Sequence, residues 1–185
     1  MRILFATTHN HLPQCSGGME VNTNALAKAL KLRGHRVEVY CSFTERSVLD
    51  QLRRHSHELM GRKLMTDTVG GYRVRRRLDV LAGADEVITK AKPDVVVVQG
   101  WNAHNLARPF VEAGVPTLVY MHTADRFVFG EELAASPLLY FAVNSRFTAS
   151  LHPDKRIDAV VPCLIEPDDY RVKSRRETET VSSGA

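Results

Sequence analysis

The chain has 185 residues, of which 44% are hydrophobic and 25% charged, and its formal net charge is +4 at pH 7. This length favours one domain around one sizeable core. No apolar run reaches the roughly 18 residues of a membrane span, and the first residues lack the layout of a signal peptide, so a cytoplasmic protein is expected. The mild basic excess and an aromatic content of only 7% argue against a nucleic-acid binder.

The cysteines and histidines do not predict a metal or a cross-link. Cys15, Cys41 and Cys163 are far apart and odd in number, and they lack CxxC spacing. Neither a disulfide framework nor a structural zinc site is indicated. The histidines are scattered along the chain, so no metal and no other cofactor is predicted.

The first strand-helix unit has the clearest pattern. Residues 3–7 predict a buried strand, and a polar loop with two glycines follows. Apolar residues of the segment 21–30 then fall on one helical face, and Gly34 supplies the stop. Residues 36–42 alternate apolar and polar side chains and predict a second strand.

The middle of the chain continues the alternation of helix and strand. Residues 45–65 predict one or two helices, and residues 71–76 predict a short, edge-like strand. The segment 79–92 has an amphipathic stripe that Pro93 ends. Residues 94–99 are apolar on both faces, which is typical of a central strand covered by helices on both sides.

The last third predicts further elements and then a polar tail. In chain order these are a helix over 103–111 and strands over 117–121, 139–143 and 157–161. Ser145 is placed to cap a short helix. After Tyr170 the chain is polar and aperiodic, so the predicted division is a domain over 1–170 and a disordered tail or linker over 171–185.

Together these elements predict an α/β fold, a Rossmann-like three-layer sandwich around a mostly parallel, twisted sheet of six to seven strands. Ligands of such sheets bind beyond the carboxyl ends of the strands. The candidate substrate-binding residues at those ends are His9, Asn10, Gly17, Gly18, Glu20, Trp101, Asn102, His122, Asp125, Arg126, Asn144, Ser145 and Arg146.

Several of these residues have two interpretations. Gly17 and Gly18 permit positive φ and a close ligand, but the loop lacks GxGxxG, and Glu20 already complements the positive helix end. A tight turn with a capping glutamate explains them equally well. His122 is either a site residue or a satisfied histidine at the sheet margin, and Trp101 either stacks on a sugar or plugs a helix.

The segment 46–63 carries Arg53, Arg54, Arg62 and Lys63 among apolar residues. This composition fits either a solvated outer helix or a surface helix that contacts anionic lipid. The acidic residues in the segment dilute its charge, so the solvated helix is favoured. A peripheral contact with the inner membrane surface stays open.

At this point the residues resemble the family 4 (group 1) glycosyltransferases of GT-B fold. The resemblance is carried by Arg2-Ile-Leu-Phe, Pro13, Gly17-Gly18-Met-Glu20 and Ala27-x-x-Leu30-x-x-x-Gly34-His35-x-Val37-x-Val39. It continues through Pro93-Asp94-Val-Val-Val, Gly114-Val-Pro116, His122, Asn144-Ser145, Val161-Pro162 and Glu166-Pro-Asp-Asp-Tyr170.

The resemblance implies a retaining enzyme that transfers a sugar from a nucleotide-diphosphate donor to an acceptor hydroxyl. Gly17 and Gly18 would line the cleft, and His122 would contact the reacting sugar as the catalytic residue, with Asn144, Ser145 and Arg146 on the same wall. The implied partners are an acceptor sugar or glycoside, free or lipid-linked, and a nucleotide sugar bound by a second domain.

Two departures from the family pattern limit this expectation. Cys163-Leu164 stands where the family usually has Asn-Gly, and the paired glutamates of the donor-binding domain, with seven residues between them, do not occur in the chain. The chain is therefore expected to be the acceptor-side half alone, inactive by itself. Two alternatives stay open: a half-enzyme subunit with a separate donor-binding partner, and a Rossmann-like module that binds a small metabolite without catalysis.

Overall fold

The computed structural model describes residues 1–45, 48–61, 63–123, 131–153 and 156–164, without the side chains of Leu49, Arg53, His57, Glu58, Glu131 and Glu132. The strands are β1 (Arg2–Asn10), β2 (Arg36–Ser42), β3 (Met65–Asp67), β4 (Arg73–Arg77), β5 (Val95–Gln99), β6 (Thr117–Met121), β7 (Leu139–Val143) and β8 (Ala159–Val160). The helices are α1 (Gly18–Leu32), α2 (Val48–Leu59), α3 (Ala84–Ala91), α4 (Ala103–Glu112), α5 (Glu131–Ala134) and α6 (Arg146–Ser150), with a 3-10 turn at Leu81–Gly83 before α3.

The eight strands of the described residues form one sheet in the order β3-β4-β2-β1-β5-β6-β7-β8. Every neighbouring pair is parallel except β3 with β4, which is antiparallel. The predicted α/β Rossmann-like fold with a mostly parallel sheet is confirmed. The sheet has eight strands rather than the six to seven that the sequence predicted.

The additional strand, β3, begins at the last residue of the segment predicted as helical. Within 45–65 the residues Val48–Leu59 form α2, whereas Met65 pairs with Arg76 of β4. Met65 is only 8% exposed, so burial against the sheet outweighs the helical period of the preceding residues. Because β3 covers it, β4 is an inner strand, and the edge-like prediction for 71–76 is wrong. Residues 165–185, which include the predicted tail, lie outside the described part of the chain.

Alternate residues of the strands face two separate cores. Leu4 and Ala6 of β1 pack in the larger core with α3 and α4, whereas Ile3 and Phe5 pack in the smaller one with α1. This follows from the two-residue period of a strand, whose successive side chains point to opposite faces. Helices therefore cover both faces of the sheet and produce the three layers.

The basic run of β4 is paired with acidic side chains. Arg75 Nε lies 2.6 Å from Glu38 Oε2, Arg76 Nε lies 2.7 Å from Asp67 Oδ2, and Arg77 Nη1 lies 2.9 Å from Glu86 Oε2. Arg75 and Arg76 are themselves buried. Arg75, Arg76 and Arg77 are thus paired within the fold, whereas Arg73 reaches solvent, and the run does not form an open basic stripe of the kind that binds nucleic acid.

Every described side chain of α2 is exposed or half-buried, and none of the described core residues belongs to it. Within the described ranges, no helix has the length and apolar character of a bilayer span.

Candidate functional site

A cleft lies where the order of the strands reverses. The chain continues from β1 to β2 on one side, whereas β5 and its successors lie on the other side, so β1 and β5 flank the topological switch point. Open parallel sheets bind ligands at this place, beyond the carboxyl ends of the strands. Here the cleft has a volume of about 190 Å³ and is lined by His9, Gly18, Met19, Glu20, Gly100, Trp101, His122 and Thr123.

The turn after β5 requires glycine and is tied to the end of β1. Gly100 has φ +82°, and a Cβ there would lie 3.0 Å from both Thr7 Oγ1 and His9 Cδ2. The next amide, Trp101 N–H, donates to His9 Nε2 at 3.4 Å. Thr8 Oγ1–H donates to the Trp101 carbonyl at 2.5 Å. These contacts fix His9 and Trp101 beside each other at the mouth of the cleft.

The start of α1 presents a carboxylate to the cleft. Glu20 lies in the first turn and is 4% exposed, where it complements the positive end of the helix. Its Oε1 is 4.0 Å from His9 Nδ1. Gly17 has φ −84°, so the positive φ considered for this pair is not used; instead, a Cβ at Gly17 would lie 2.5 Å from Glu20 Oε2. Gly18 has open space around its Cα.

The ring of His122, which directly follows β6, is hydrogen-bonded to the buried side-chain amide of Gln99. Its Nε2–H donates to Gln99 Oε1 at 2.8 Å, and the same oxygen lies 3.2 Å from Thr23 Oγ1 of α1. Burial lowers the pKa of His122 from 6.5 to about 4, because the charged imidazolium loses hydration there. The ring is therefore neutral at pH 7, and its Nδ1 remains a hydrogen-bond acceptor.

The protonation of His122 is a first testable consequence. We expect its ring to titrate with a midpoint near pH 4 and to be the neutral Nε2–H tautomer at neutral pH, as measured by long-range proton–nitrogen NMR. The variant Gln99→Leu removes the acceptor, so this tautomer should lose its preference. A ring that is protonated at neutral pH would contradict this geometry. So would a tautomer preference that is the same in the Gln99→Leu variant as in the parent chain.

The end of β7 supports the His122 segment from outside the cleft. Asn144 Nδ2 donates to the His122 carbonyl at 3.0 Å, and Asn144 Oδ1 accepts from Thr148 Oγ1 at 2.5 Å. Ser145 Oγ accepts from Thr148 N–H at 3.0 Å, which confirms the predicted cap of α6. Arg146 is exposed on that helix. None of these three predicted site residues is among those that line the cleft.

The remaining predicted residues lie on the rim of the cleft, away from the cleft, or outside the described part of the chain. Trp101 is 66% exposed, so it stands on the rim and does not plug a helix. Asn102 is exposed with φ 56° at the start of α4, and Asn10 Oδ1 accepts from Thr44 Oγ1 at 3.1 Å, on the side of β2. Asp125 and Arg126 lie outside the described residues.

The structure also brings in residues to which no site role was assigned from the sequence. Met19, Gly100 and Thr123 line the cleft, and Gln99 holds His122. The sequence contains a signal for Gln99, because this polar residue ends a run of four valines. In the structure the residue is 1% exposed. A buried polar group at such a place requires a partner, which the fold supplies from β6.

The described lining of the cleft contains one carboxylate, Glu20, two imidazoles and no lysine or arginine. Such a set offers hydrogen-bond acceptors and donors to hydroxyl groups, whereas a diphosphate prefers cationic groups and free helix N–H donors. In the described ranges, no group of three histidine, cysteine, aspartate or glutamate side chains is placed to hold a metal ion.

Comparisons with known proteins agree with the fold. The family model described as Glycosyl transferase 4-like domain matches residues 17–161, which is more than half of the chain. No curated protein sequence shows significant similarity to the chain. Among solved structures, the one described as trehalose-6-phosphate from E. coli bound with UDP-2-fluoro glucose has a TM-score of 0.55 at 11% identity, over 98% of this chain and 54% of that one. At this identity the likeness shows the fold.

Two further solved structures have lower scores. Acinetobacter baumannii MurG has a TM-score of 0.49 at 14% identity, over 86% of this chain and 44% of its own. LpCGTa in complex with UDP has a TM-score of 0.49 at 11% identity, over 98% of this chain and 62% of its own. The chain thus spans about half the length of the structures it matches.

Proposed function

The chain belongs to the glycosyl transferase 4-like domain family and is a GT-B glycosyltransferase domain, and we propose that it is the acceptor-side half of a retaining enzyme. The donor in this proposal is a nucleotide-diphosphate sugar, and the acceptor is a sugar or glycoside hydroxyl. The observation that carries the proposal is the cleft at the switch point, whose described lining holds a carboxylate and two imidazoles but no lysine or arginine.

The cleft chemistry suits an acceptor sugar. Glu20 presents a buried carboxylate that accepts from a sugar hydroxyl, and Trp101 offers an exposed aromatic face at the rim for stacking on a pyranose ring. The neutral His122 faces the same cleft, and no described residue forms a hydrogen bond with its Nδ1. In the proposed complex, this nitrogen accepts a hydrogen bond from a hydroxyl of the reacting sugar without introducing a positive charge.

Donor chemistry requires groups from elsewhere. A departing nucleotide diphosphate is stabilised by cationic side chains and backbone N–H groups that are in place beforehand. The N-terminus of α1 is already complemented by Glu20, so it is a poor site for a second anion. Trp101 and Phe147, 66% and 72% exposed, lie on the same edge of the sheet. We propose that a donor-binding half covers this edge and completes the site.

Ligand titration of the chain tests this assignment. We expect simple glycosides to shift the NMR signals of Trp101 and His122 at millimolar concentration, whereas nucleotide sugars do not saturate the cleft. Replacing His122 by alanine should weaken glycoside binding about tenfold, since one hydrogen bond in a sheltered cleft is lost. The matched control is His35→Ala, at the opposite edge of the sheet, which should leave binding unchanged.

The same experiment distinguishes the alternatives. Saturable binding of a small phosphorylated metabolite, with no response to glycosides, would replace the proposal by a metabolite-binding module. Sugar transfer by the chain alone at an ordinary enzyme rate would show that no second half is needed. Recovery of transfer only after a separate donor-binding subunit is added would identify a half-enzyme.

A further inference from the structure

A basic cavity lies at the edge of the sheet opposite the cleft. It has a volume of about 260 Å³ and opens between the amino ends of β2 and β4, beside the turn that joins β3 to β4. The charged or titratable residues of its described lining are Lys31, His35, Arg36, Glu38 and Arg73. Glu38 is the one carboxylate in this described lining, so positive groups outnumber negative ones there.

Glu38 accepts hydrogen bonds from more guanidinium groups than it can neutralise. Its Oε1 lies 2.9 Å from Arg36 Nη2 and 3.3 Å from Arg73 Nη1, and its Oε2 lies 2.6 Å from Arg75 Nε. Arg75 is buried and takes this carboxylate as its partner inside the fold. Because one carboxylate carries a single negative charge, the positive charge of Arg36 and Arg73 remains largely uncompensated.

The two outer arginines still have donors to offer. Arg36 uses Nε and Nη2 on Glu38, and Arg73 uses Nη1. The other guanidinium nitrogens of these two arginines have no hydrogen-bond partner among the described residues. Both side chains line the cavity and are 57% and 44% exposed. Since one carboxylate oxygen holds both guanidiniums, they lie close together, an arrangement that suits charge-assisted hydrogen bonds to a phosphate.

Lys31, in the last turn of α1, adds a third cation. Its ammonium donates to the Gly71 carbonyl in the turn before β4, which holds it beside the same cavity. The negative end of the α1 dipole is also here, but the amides of Arg33, Gly34 and His35 donate to the carbonyls of residues 29–31. A full charge on Lys31 exceeds the roughly half charge of the helix end, so the cavity stays attractive to anions.

We propose that this cavity binds the phosphate group of a small molecule, held by Arg36, Arg73 and Lys31. A volume of about 260 Å³ is below the roughly 300–1,000 Å³ of pockets that enclose drug-sized ligands, so the occupant is compact. Inorganic phosphate and a sugar phosphate share the chemistry that these donors recognise. Because the cavity and the cleft lie at opposite edges of the sheet, this binding does not depend on the proposed glycosyltransferase role.

Titration of the chain with inorganic phosphate at constant ionic strength, followed by NMR, tests the proposal. We expect saturable shifts of the amide signals of Lys31, Gly71 and Arg73 at millimolar concentration. The signals of Trp101 and His122 should not move, because these residues belong to the cleft. Added sodium chloride should weaken the binding, since the arginines are partly exposed.

The double variant Arg36→Gln/Arg73→Gln should weaken phosphate binding at least about tenfold, because charge-assisted hydrogen bonds are lost. Glu38 keeps its buried partner Arg75 in this variant, so the chain is expected to fold. If the double variant does not fold, the single variants Arg36→Gln and Arg73→Gln replace it. Each of them leaves two guanidiniums on Glu38 and should weaken binding about threefold to tenfold.

The matched control is Lys63→Gln/Arg146→Gln, which removes the same charge at two exposed positions elsewhere on the surface. This variant should bind phosphate like the parent chain. Equal loss in both double variants would mean diffuse attraction by the net charge and would overturn the proposal. So would phosphate shifts that do not saturate, or that occur only in the cleft.

A parallel titration with glucose 1-phosphate and with glucose distinguishes the two sources of the phosphate. Glucose lacks the phosphate and should not shift the signals of Lys31, Gly71 and Arg73. Tighter binding of glucose 1-phosphate than of inorganic phosphate supports a sugar phosphate as the occupant, whereas equal or weaker binding supports the inorganic anion. Shifts of these signals by glucose alone would contradict recognition of a phosphate group.

Discussion

Replacing Glu38 by alanine is expected to lower the free energy of unfolding by about 3–5 kcal/mol. The side chain of Glu38 is 5% exposed and pairs with Arg75, itself 7% exposed, at 2.6 Å. Arg36 and Arg73 approach the same carboxylate at 2.9 and 3.3 Å but reach solvent. Without Glu38, the buried Arg75 guanidinium keeps its charge and has lost its principal partner. Urea denaturation of the parent and variant chains measures the difference.

Two further variants test whether the loss of stability in Glu38→Ala comes from the buried, unpaired charge of Arg75. Glu112→Ala removes an exposed partner that lies 3.6 Å from Arg108, and it should change stability by no more than about 0.5 kcal/mol. Glu38→Met/Arg75→Met removes both buried charges, so it should recover most of the loss. A Glu38→Ala variant as stable as the parent, or a double variant weaker than the single one, would show that the ion pair is not what matters.

Acidification from pH 6.5 towards 4 is expected to destabilise the chain, with His11 alone contributing about 3 kcal/mol. Burial, with the charge of Arg76 beside it, lowers the pKa of His11 from 6.5 to about 4. Between these values the unfolded chain binds a proton that the folded chain does not. Stability from this group is therefore fully present above pH 6.5 and is lost as the pH falls through this window. His122, whose pKa is lowered in the same direction, adds to the loss.

The variant His11→Gln isolates this contribution. It retains a donor for Tyr72 Oη, which lies 2.7 Å from His11 Nε2, and it cannot titrate. The difference in stability between neutral pH and about pH 4.5, from urea denaturation, should be smaller in this variant by about 2–3 kcal/mol. His55→Gln, at an exposed position of α2, should keep the full dependence. If His11→Gln shows the same pH dependence as the parent, His11 is not buried as a neutral group.

The β1-α1-β2 unit shows how far local pattern determines structure. Its hydrophobic periods agree with burial on both sides, and Gly34, with φ +84°, follows the end of α1 as the sequence predicted. Prediction failed at β3, where three residues after a helical segment become a strand only because β4 offers an unpaired edge. Pairing between distant segments is a property of the assembled sheet, so it leaves no period in the sequence.

The class of fold, the alternation of strands and helices, and the polar residues that follow strand ends could be predicted from local periods and breakers. Which of these polar residues share the cleft depends on the order in which the strands assemble. His9, Gly18, Glu20, Trp101 and His122 do so, whereas Asn10 faces β2 and Ser145 caps its own helix. The fold likewise brings Glu38 to Arg75 and Gln99 to His122. These partners are 37 and 23 residues apart and lie on or directly after neighbouring strands, so strand order brings them together and no local period records them.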